Sequence, residues 1–348
     1  MNDVVSRQAL IFSGPATVEV RTEPLAAPGP GEVLVRTLLS AISAGTELLI
    51  YRGLAPAAMP ADTSLPSLTG TLAFPLKYGY ASVGRVVQVG AGVDPLLQDS
   101  LVFAFQPHQT HFVAPVAETV PLPADLPLER AVLLPSAETA LNLVQDGRPL
   151  AGERVVVFGQ GVVGLLTTAL LAAMPLAALV TLDRYARRRQ ASLALGAHVS
   201  LDPDSGDTTT SLPLALSDPV HPGADLAFEL SGDPAVLDRA LAAVGFAGRI
   251  IIGSWYGEKR APLDLGGAFH RSRIQLVSSQ VSTIAPELRG RWTQARRLAY
   301  ALSFLQEIEA EGLISHRIPF AEAASAYRLL DENPELTIQV VLTYPESV

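Results

Sequence analysis

The run Val155-Val156-Val157-Phe158-Gly159-Gln160-Gly161-Val162-Val163-Gly164 sets three glycines at G-x-G-x-x-G spacing, between a β-branched stretch and an uncharged helical one. That order suits a dinucleotide. Gly159 permits a tight turn, Gly161 lets a pyrophosphate reach the backbone, and Gly164 lets helix and strand pack closely. The helix start at Val162 and Val163 offers N–H groups and a positive dipole end to phosphate oxygens, with Gln160 beside them in the turn. A second apolar run ends in Asp183, about twenty residues on, where a carboxylate holds ribose hydroxyls. Its charge repels a 2′-phosphate and so favours NAD. Arg184, Arg187, Arg188 and Arg189 follow at once and leave NADP open, through Arg184 or a neighbour. The plain alternatives are a glycine turn without ligand and a solvated arginine face.

These groups need a parallel sheet to hold them. From about residue 127 a helix is expected over 128–144. Short Val/Ile/Leu-rich strands at 154–158, 177–182, 225–229, 248–252 and 274–278 then alternate with helices, which implies right-handed crossovers. Residues 1–125 differ: strands at 18–20, 32–39, 81–89, 100–105 and 110–113, broken by Gly and Pro, predict an antiparallel barrel with long loops. Helices at 296–311 and 322–331 and a strand at 337–342 are expected to return to that barrel. The fold class is α/β, with domains at 1–136, completed by 280–348, and at 137–279. Residues 202–210 should form an exposed loop. Residues 54–74, rich in Ala, Pro and Leu, have the length of a lid over a bulky apolar substrate, or of a partner surface.

The chain has 348 residues, with 25 Lys+Arg against 34 Asp+Glu and a net charge of −9. That balance argues against nucleic acid, whose phosphates demand a basic footprint. There is no cysteine, which removes disulfides, thiolate chemistry and cysteine-based zinc sites. Residues 155–182 carry no charge and are long enough to span a bilayer, but Gly159, Gln160, Gly161 and Pro175 interrupt them. They read as strand, turn, helix, turn and strand, with no membrane segment. Asp3 and Arg7 break any leader pattern, so a cytoplasmic location is expected.

The barrel-like first half, the dinucleotide unit and the returning end together resemble the medium-chain dehydrogenase/reductase superfamily over nearly the whole chain. The resemblance rests on Gly45-Thr46-Glu47, on Gly79-Tyr80-Ala81-Ser82-Val83-Gly84 and its continuation to Gly90, and on the glycine motif. It also rests on residues 248–253 and 314–319. It implies a GroES-like antiparallel β-barrel catalytic domain, a Rossmann doubly wound sheet, and a homodimer through the edge strand at 273–278. In the zinc alcohol dehydrogenases of this superfamily, a cysteine, a His-Glu pair and a third ligand hold the metal. Here those slots fall on Ser43 or Ala44, on Tyr80 and Ala81, and near Pro135 to Ala137, so no zinc is expected. Residues 42–47, 74–80, 103–110 and 137–140 further resemble the 3-hydroxyethyl bacteriochlorophyllide a dehydrogenases. That group implies NAD-linked oxidation of a secondary alcohol on a chlorin.

Without zinc, the reacting oxygen needs hydrogen-bond donors and a proton relay from side chains. The candidates are Ser43, Thr46, Tyr80 and His108, with Lys77 available to lower a nearby tyrosine. Each has a plainer reading: Thr46 braces the nicotinamide ribose, Tyr80 packs, and His108 bonds within its loop. Glu47 holds loop geometry, and Glu138 lines a helix beside the cofactor. By resemblance, Thr139 and Val163 lie against the nicotinamide, and Ser231 and Gly253 complete the cofactor contacts. Trp255 and Tyr256 wall the pocket or form an interface. The leading reading is a zinc-independent NAD(P) oxidoreductase of a secondary alcohol or ketone, its small-molecule substrate bulky and hydrophobic. The alternatives are a quinone or enoyl reductase, and a non-catalytic dinucleotide-binding scaffold or sensor.

Overall fold

The computed structural model describes residues 5–218 and 220–345. The chain divides into two compact units, Met1–Pro135 with Leu305–Val348, and Ser136–Phe304.

In the first unit, β1 (Val5–Gly14) and β2 (Thr17–Leu25) form an antiparallel hairpin with Leu10 opposite Val20. β1 was not anticipated. Ala9, Leu10, Ile11 and Phe12 are all buried, so the middle of the strand is covered on both faces and its sequence does not alternate there. A second antiparallel system holds β3 (Glu32–Ala41), β4 (Ser82–Val89), β5 (Leu101–Ala104), β6 (His111–Pro115) and β7 (Thr119–Pro121). One edge of β3 pairs with β4. Its other edge is divided: Glu32–Arg36 pair with β6, and Leu39–Ala41 pair with a strand from the returning segment. Residues 54–74 carry no strand or helix, yet Ala61, Leu68 and Leu72 are buried and Pro60 bridges Thr71. The segment is packed down and does not stand open as a flap.

The single helix expected over 128–144 is two, Leu128–Ala131 and Leu134–Gly147. Pro135 has no N–H to give the carbonyl of Ala131, so the helix restarts with proline in its first turn, where that N–H is not needed.

The second unit is a six-stranded parallel sheet. Its strands are β8 (Arg154–Phe158), β9 (Ala178–Leu182), β10 (Val199–Leu201), β11 (Ala224–Glu229), β12 (Val244–Ile252) and β13 (Gln275–Ser278). The order β10-β9-β8-β11-β12-β13 runs outward from β8 and then restarts at β11, so the switch point lies beside the carboxyl ends of those two strands. Alternate residues fill the two faces, Val155, Val157 and Phe228 on one and Val156, Phe158 and Ala227 on the other. The uncharged stretch is buried sheet and the helix Val162–Ala172. Among the described residues no helix is long and apolar enough to cross a membrane. The loop expected at 202–210 is shorter, because a helix starts at Thr208.

The returning segment supplies β14 (Ile314–Pro319), the helix Ala323–Glu332 and β15 (Gln339–Thr343), which pairs antiparallel with β3. The division from the second unit falls at Phe304, and not at 279 as expected. Arg297 explains the difference: it binds the carbonyls of Val281 and Thr283 and the side chains of Glu138 and Asn142, and so keeps 280–304 with the sheet.

Candidate active site

In the first unit, β3 ends in the turn Ser43-Ala44-Gly45-Thr46, and the helix Glu47–Tyr51 follows. The turn is closed from both sides. The Glu47 amide donates to the Ser43 carbonyl at 2.8 Å, and the Ser43 amide donates to Glu47 Oε1 at 2.8 Å. Tyr80, just before β4, donates its hydroxyl to Ser43 Oγ at 2.5 Å and is also hydrogen-bonded to Thr46. Ser43, Thr46 and Tyr80 are each partly exposed, so three hydroxyls gather where a small molecule can reach them. Burial pushes the Tyr80 phenol above its ordinary range, and the bonds from Ser43 and Thr46 offset part of that. Tyr80 therefore carries its proton at neutral pH and acts as a donor.

His108 stands elsewhere. It is wholly buried, with Nε2 3.0 Å from Glu47 Oε2 and Nδ1 2.7 Å from Ser40 Oγ. It cannot touch a substrate, so its expected place among the reacting groups is corrected to one beneath them. Lys77 pairs with Glu23 at 2.9 Å, and Tyr80 is raised and not lowered, which removes the part expected of that lysine. Two residues were missed. Tyr327 donates to Glu47 Oε2, and Tyr344 OH lies 2.9 Å from Ser40 Oγ. A tyrosine on the apolar face of an amphipathic helix, as Tyr327 is, reads from sequence as packing alone.

Zinc does not fit these residues. The slots for its ligands hold Ser43, Ala44, Tyr80 and Ala81, and neutral hydroxyls held by one another are poor ligands for it. Among the described residues no group of three His, Cys, Asp or Glu side chains is placed to hold a metal ion.

A dinucleotide does fit the second unit. Gly159 has φ of 92°, and a Cβ there would lie 2.6 Å from Leu230. A Cβ on Gly164 would lie 2.1 Å from the Gly159 carbonyl oxygen. These two glycines are required by the turn itself. A Cβ on Gly161 would meet nothing within 4 Å, which leaves an open cradle at the start of the helix Val162–Ala172. Asp183 Oδ2 accepts the Gln160 amide at 2.7 Å and Oδ1 accepts the Tyr185 amide at 2.9 Å. Each oxygen keeps a lone pair for a ribose hydroxyl. The Gln160 side chain is turned inward, bonded to Thr168 and to the Gly159 carbonyl, so only its backbone faces the turn.

Arg184 lies 3.1 Å from Asp204 and 3.9 Å from Asp233, and Arg189 is paired with Asp202 at 3.0 Å. Val163 and Thr139 are partly exposed, on the helices Val162–Ala172 and Leu134–Gly147. Ser231 gives both its amide and its hydroxyl to Glu229, a wholly buried acid at the end of β11 that also receives Tyr256 OH at 2.5 Å. A Cβ on Gly253 would lie 2.6 Å from Leu143 and Leu230, so this glycine serves packing. Glu138 is bonded to the buried Arg297 at 3.1 Å and orients no reacting group.

The open cradle yields a clean test. Gly161 has φ of −64°, which alanine adopts freely, so Gly161→Ala should fold with an unchanged Tm. The added methyl should weaken NADH by roughly 10- to 100-fold, the equivalent of one or two lost hydrogen bonds to the pyrophosphate. Thermal melts and a fluorescence titration read the two quantities separately.

A family model described as zinc-binding dehydrogenase matches residues 162–300. That stretch lies within the second unit and includes none of Ser43, Thr46 and Tyr80. The chain is 29% identical over 263 residues to an (R,R)-butanediol dehydrogenase of Bacillus subtilis, covering 67% of this chain and 74% of that one. It is 26% identical over 354 residues to a 2-desacetyl-2-hydroxyethyl bacteriochlorophyllide A dehydrogenase of Rhodobacter capsulatus, covering 98% and 99%. Its fold matches a short chain alcohol dehydrogenase of Escherichia coli CFT073, solved with NADH, at a TM-score of 0.77 and 18% identity over 97% and 99% of the two chains. The relatives are named dehydrogenases, and the fold, a GroES-like barrel with a Rossmann unit, is that of the medium-chain, alcohol dehydrogenase-like oxidoreductases.

Proposed function

We propose that the protein is a zinc-independent, NAD-dependent oxidoreductase that interconverts a secondary alcohol and its ketone. The observation that carries this reading is the hydroxyl trio Ser43, Thr46 and Tyr80, gathered at the slots where zinc enzymes of the superfamily keep their ligands. When bound, the nicotinamide supplies or accepts the hydride. The chain manages the proton. Tyr80 gives its hydrogen to Ser43 in the free protein, and a carbonyl oxygen at the trio offers a second acceptor. Turning the O–H onto that oxygen leaves Ser43 and Thr46 free to donate to the phenol oxygen and to stabilise the phenolate as the proton moves across.

NAD over NADP is supported by Asp183 together with Asp202, Asp204 and Asp233, which pair the arginines that a 2′-phosphate would need. A bulky, hydrophobic substrate such as a hydroxyethyl chlorin is supported by the end-to-end likeness to the bacteriochlorophyllide dehydrogenase. We further propose a homodimer paired along β13, the outer strand of the parallel sheet.

Fluorescence titration of metal-analysed protein with NADH and then NADPH tests the cofactor. NADH should bind at least about tenfold tighter, a difference of about 1.4 kcal/mol. Oxidation of a hydroxyethyl chlorin, with butanediol as the competing substrate, should proceed unchanged after dialysis against a chelator. Preference for NADPH, or activity lost with stoichiometric zinc, overturns the reading.

A further inference from the structure

One carboxylate joins distant parts of the first unit. Glu47 is wholly buried and accepts three donors: the Ser43 amide at Oε1, and His108 Nε2 and Tyr327 OH at Oε2. His108 then uses Nδ1 on Ser40, which meets Tyr344 in turn. The imidazole also rests against Gly79, whose φ is 108°. A Cβ there would lie 2.6 Å from His108 Cδ2 and 2.7 Å from Nε2. Gly79 immediately precedes Tyr80.

The contacts close on themselves. Glu47 fixes the Ser43 backbone, and Ser43 Oγ receives the Tyr80 proton. Tyr80 follows Gly79, Gly79 lies on His108, and His108 returns to Glu47. We propose that the Glu47–His108 pair, locked by Tyr327, is the positioning device that holds the Tyr80 phenol on Ser43. Neither member is a catalytic residue, since both are out of reach of a substrate. If the pair served only to fill space, apolar side chains of the same volume would do as well, with no buried charge to satisfy. The inference rests on the reading of Tyr80 as the proton donor, but its geometry can be tested without turnover.

Fluorotyrosine placed at position 80 of the full chain reports the phenol by fluorine NMR, with no cofactor or substrate added. The otherwise unaltered protein should give one sharp resonance. Tyr327→Phe keeps the ring and removes one donor to Glu47, and Glu47→Gln keeps the shape and removes the charge. In both, Tyr80 should detach from Ser43, and a second resonance should carry about a tenth of the intensity or more. Thermal melts check that each variant is folded, and if Glu47→Gln does not fold, Tyr327→Phe decides alone. A single unmoved resonance in folded Tyr327→Phe overturns the positioning role. If the resonance divides as expected but no dehydrogenase activity is found, positioning stands and the proposed function falls.

Discussion

Tyr80→Phe is expected to lower kcat for carbonyl reduction by about 10²- to 10⁴-fold, the usual contribution of a placed general acid. Little else should change. Phenylalanine keeps the ring and its edge-on contact with Tyr78, at 6.2 Å between centroids, and only the hydroxyl bonded to Ser43 and Thr46 is lost. NADH affinity and Tm should therefore match the parent protein. The pH dependence carries a sign. Burial raises the phenol, so its acid form persists past the ordinary tyrosine range, and reduction should stay level through neutrality and fall only at alkaline pH. Oxidation needs the phenolate and should climb over that same alkaline range. Both alkaline limbs should vanish in the phenylalanine variant. Rate profiles in the two directions check this, and an unchanged kcat would return Tyr80 to packing.

Arg297→Met should destabilise the second unit by about 3–5 kcal/mol, as expected when one partner of a buried pair is removed. At about 2–4 °C per kcal/mol for a unit of this size, Tm should fall by roughly 6–20 °C. Arg297 is wholly buried and reaches Glu138 at 3.1 Å, Asn142 at 2.5 Å, the Thr283 carbonyl at 3.0 Å and the Val281 carbonyl. Removing it strands an acid whose pKa burial already raises and which Arg297 holds down. Protonating Glu138 relieves that strain. The deficit should accordingly shrink as pH falls, and adding Glu138→Gln to the methionine variant should recover part of it. Melts of the single and double variants at two pH values measure both effects. An equal deficit at every pH would assign the loss to the two carbonyls.

The second unit was largely legible because its determinants are local. Gly159, Gly161 and Gly164 lie within six residues; backbone contacts require the first and the last of them, and the middle one leaves the cradle open. The buried strands showed as Val/Ile/Leu runs because both faces of the sheet are covered. Local pattern fails where structure comes from distant pairing. Glu47 meets His108 across 61 positions and Tyr327 across 280, and no periodicity connects them. The same limit hid Arg297, which reads as a charge on a helix face yet is fully buried. Hydropathy shows that a position is inside, but not which polar groups meet there, and for that reason His108 and Lys77 were assigned more chemistry than their partners allow.

The split pairing of β3 bears on how the chain is made. Leu39–Ala41 wait for β15, and Glu47 waits for Tyr327, while every strand of the parallel sheet lies between them in the sequence. A ribosome adding about 5–20 residues per second leaves roughly 15–60 s between the emergence of the first strands and of their last partner. Over that interval the parallel sheet can complete itself, while the barrel remains a partly paired set of edges with an unsatisfied carboxylate. Folding order during synthesis is thus inverted relative to position in the chain, and the nascent barrel is the part exposed to chaperones and proteases.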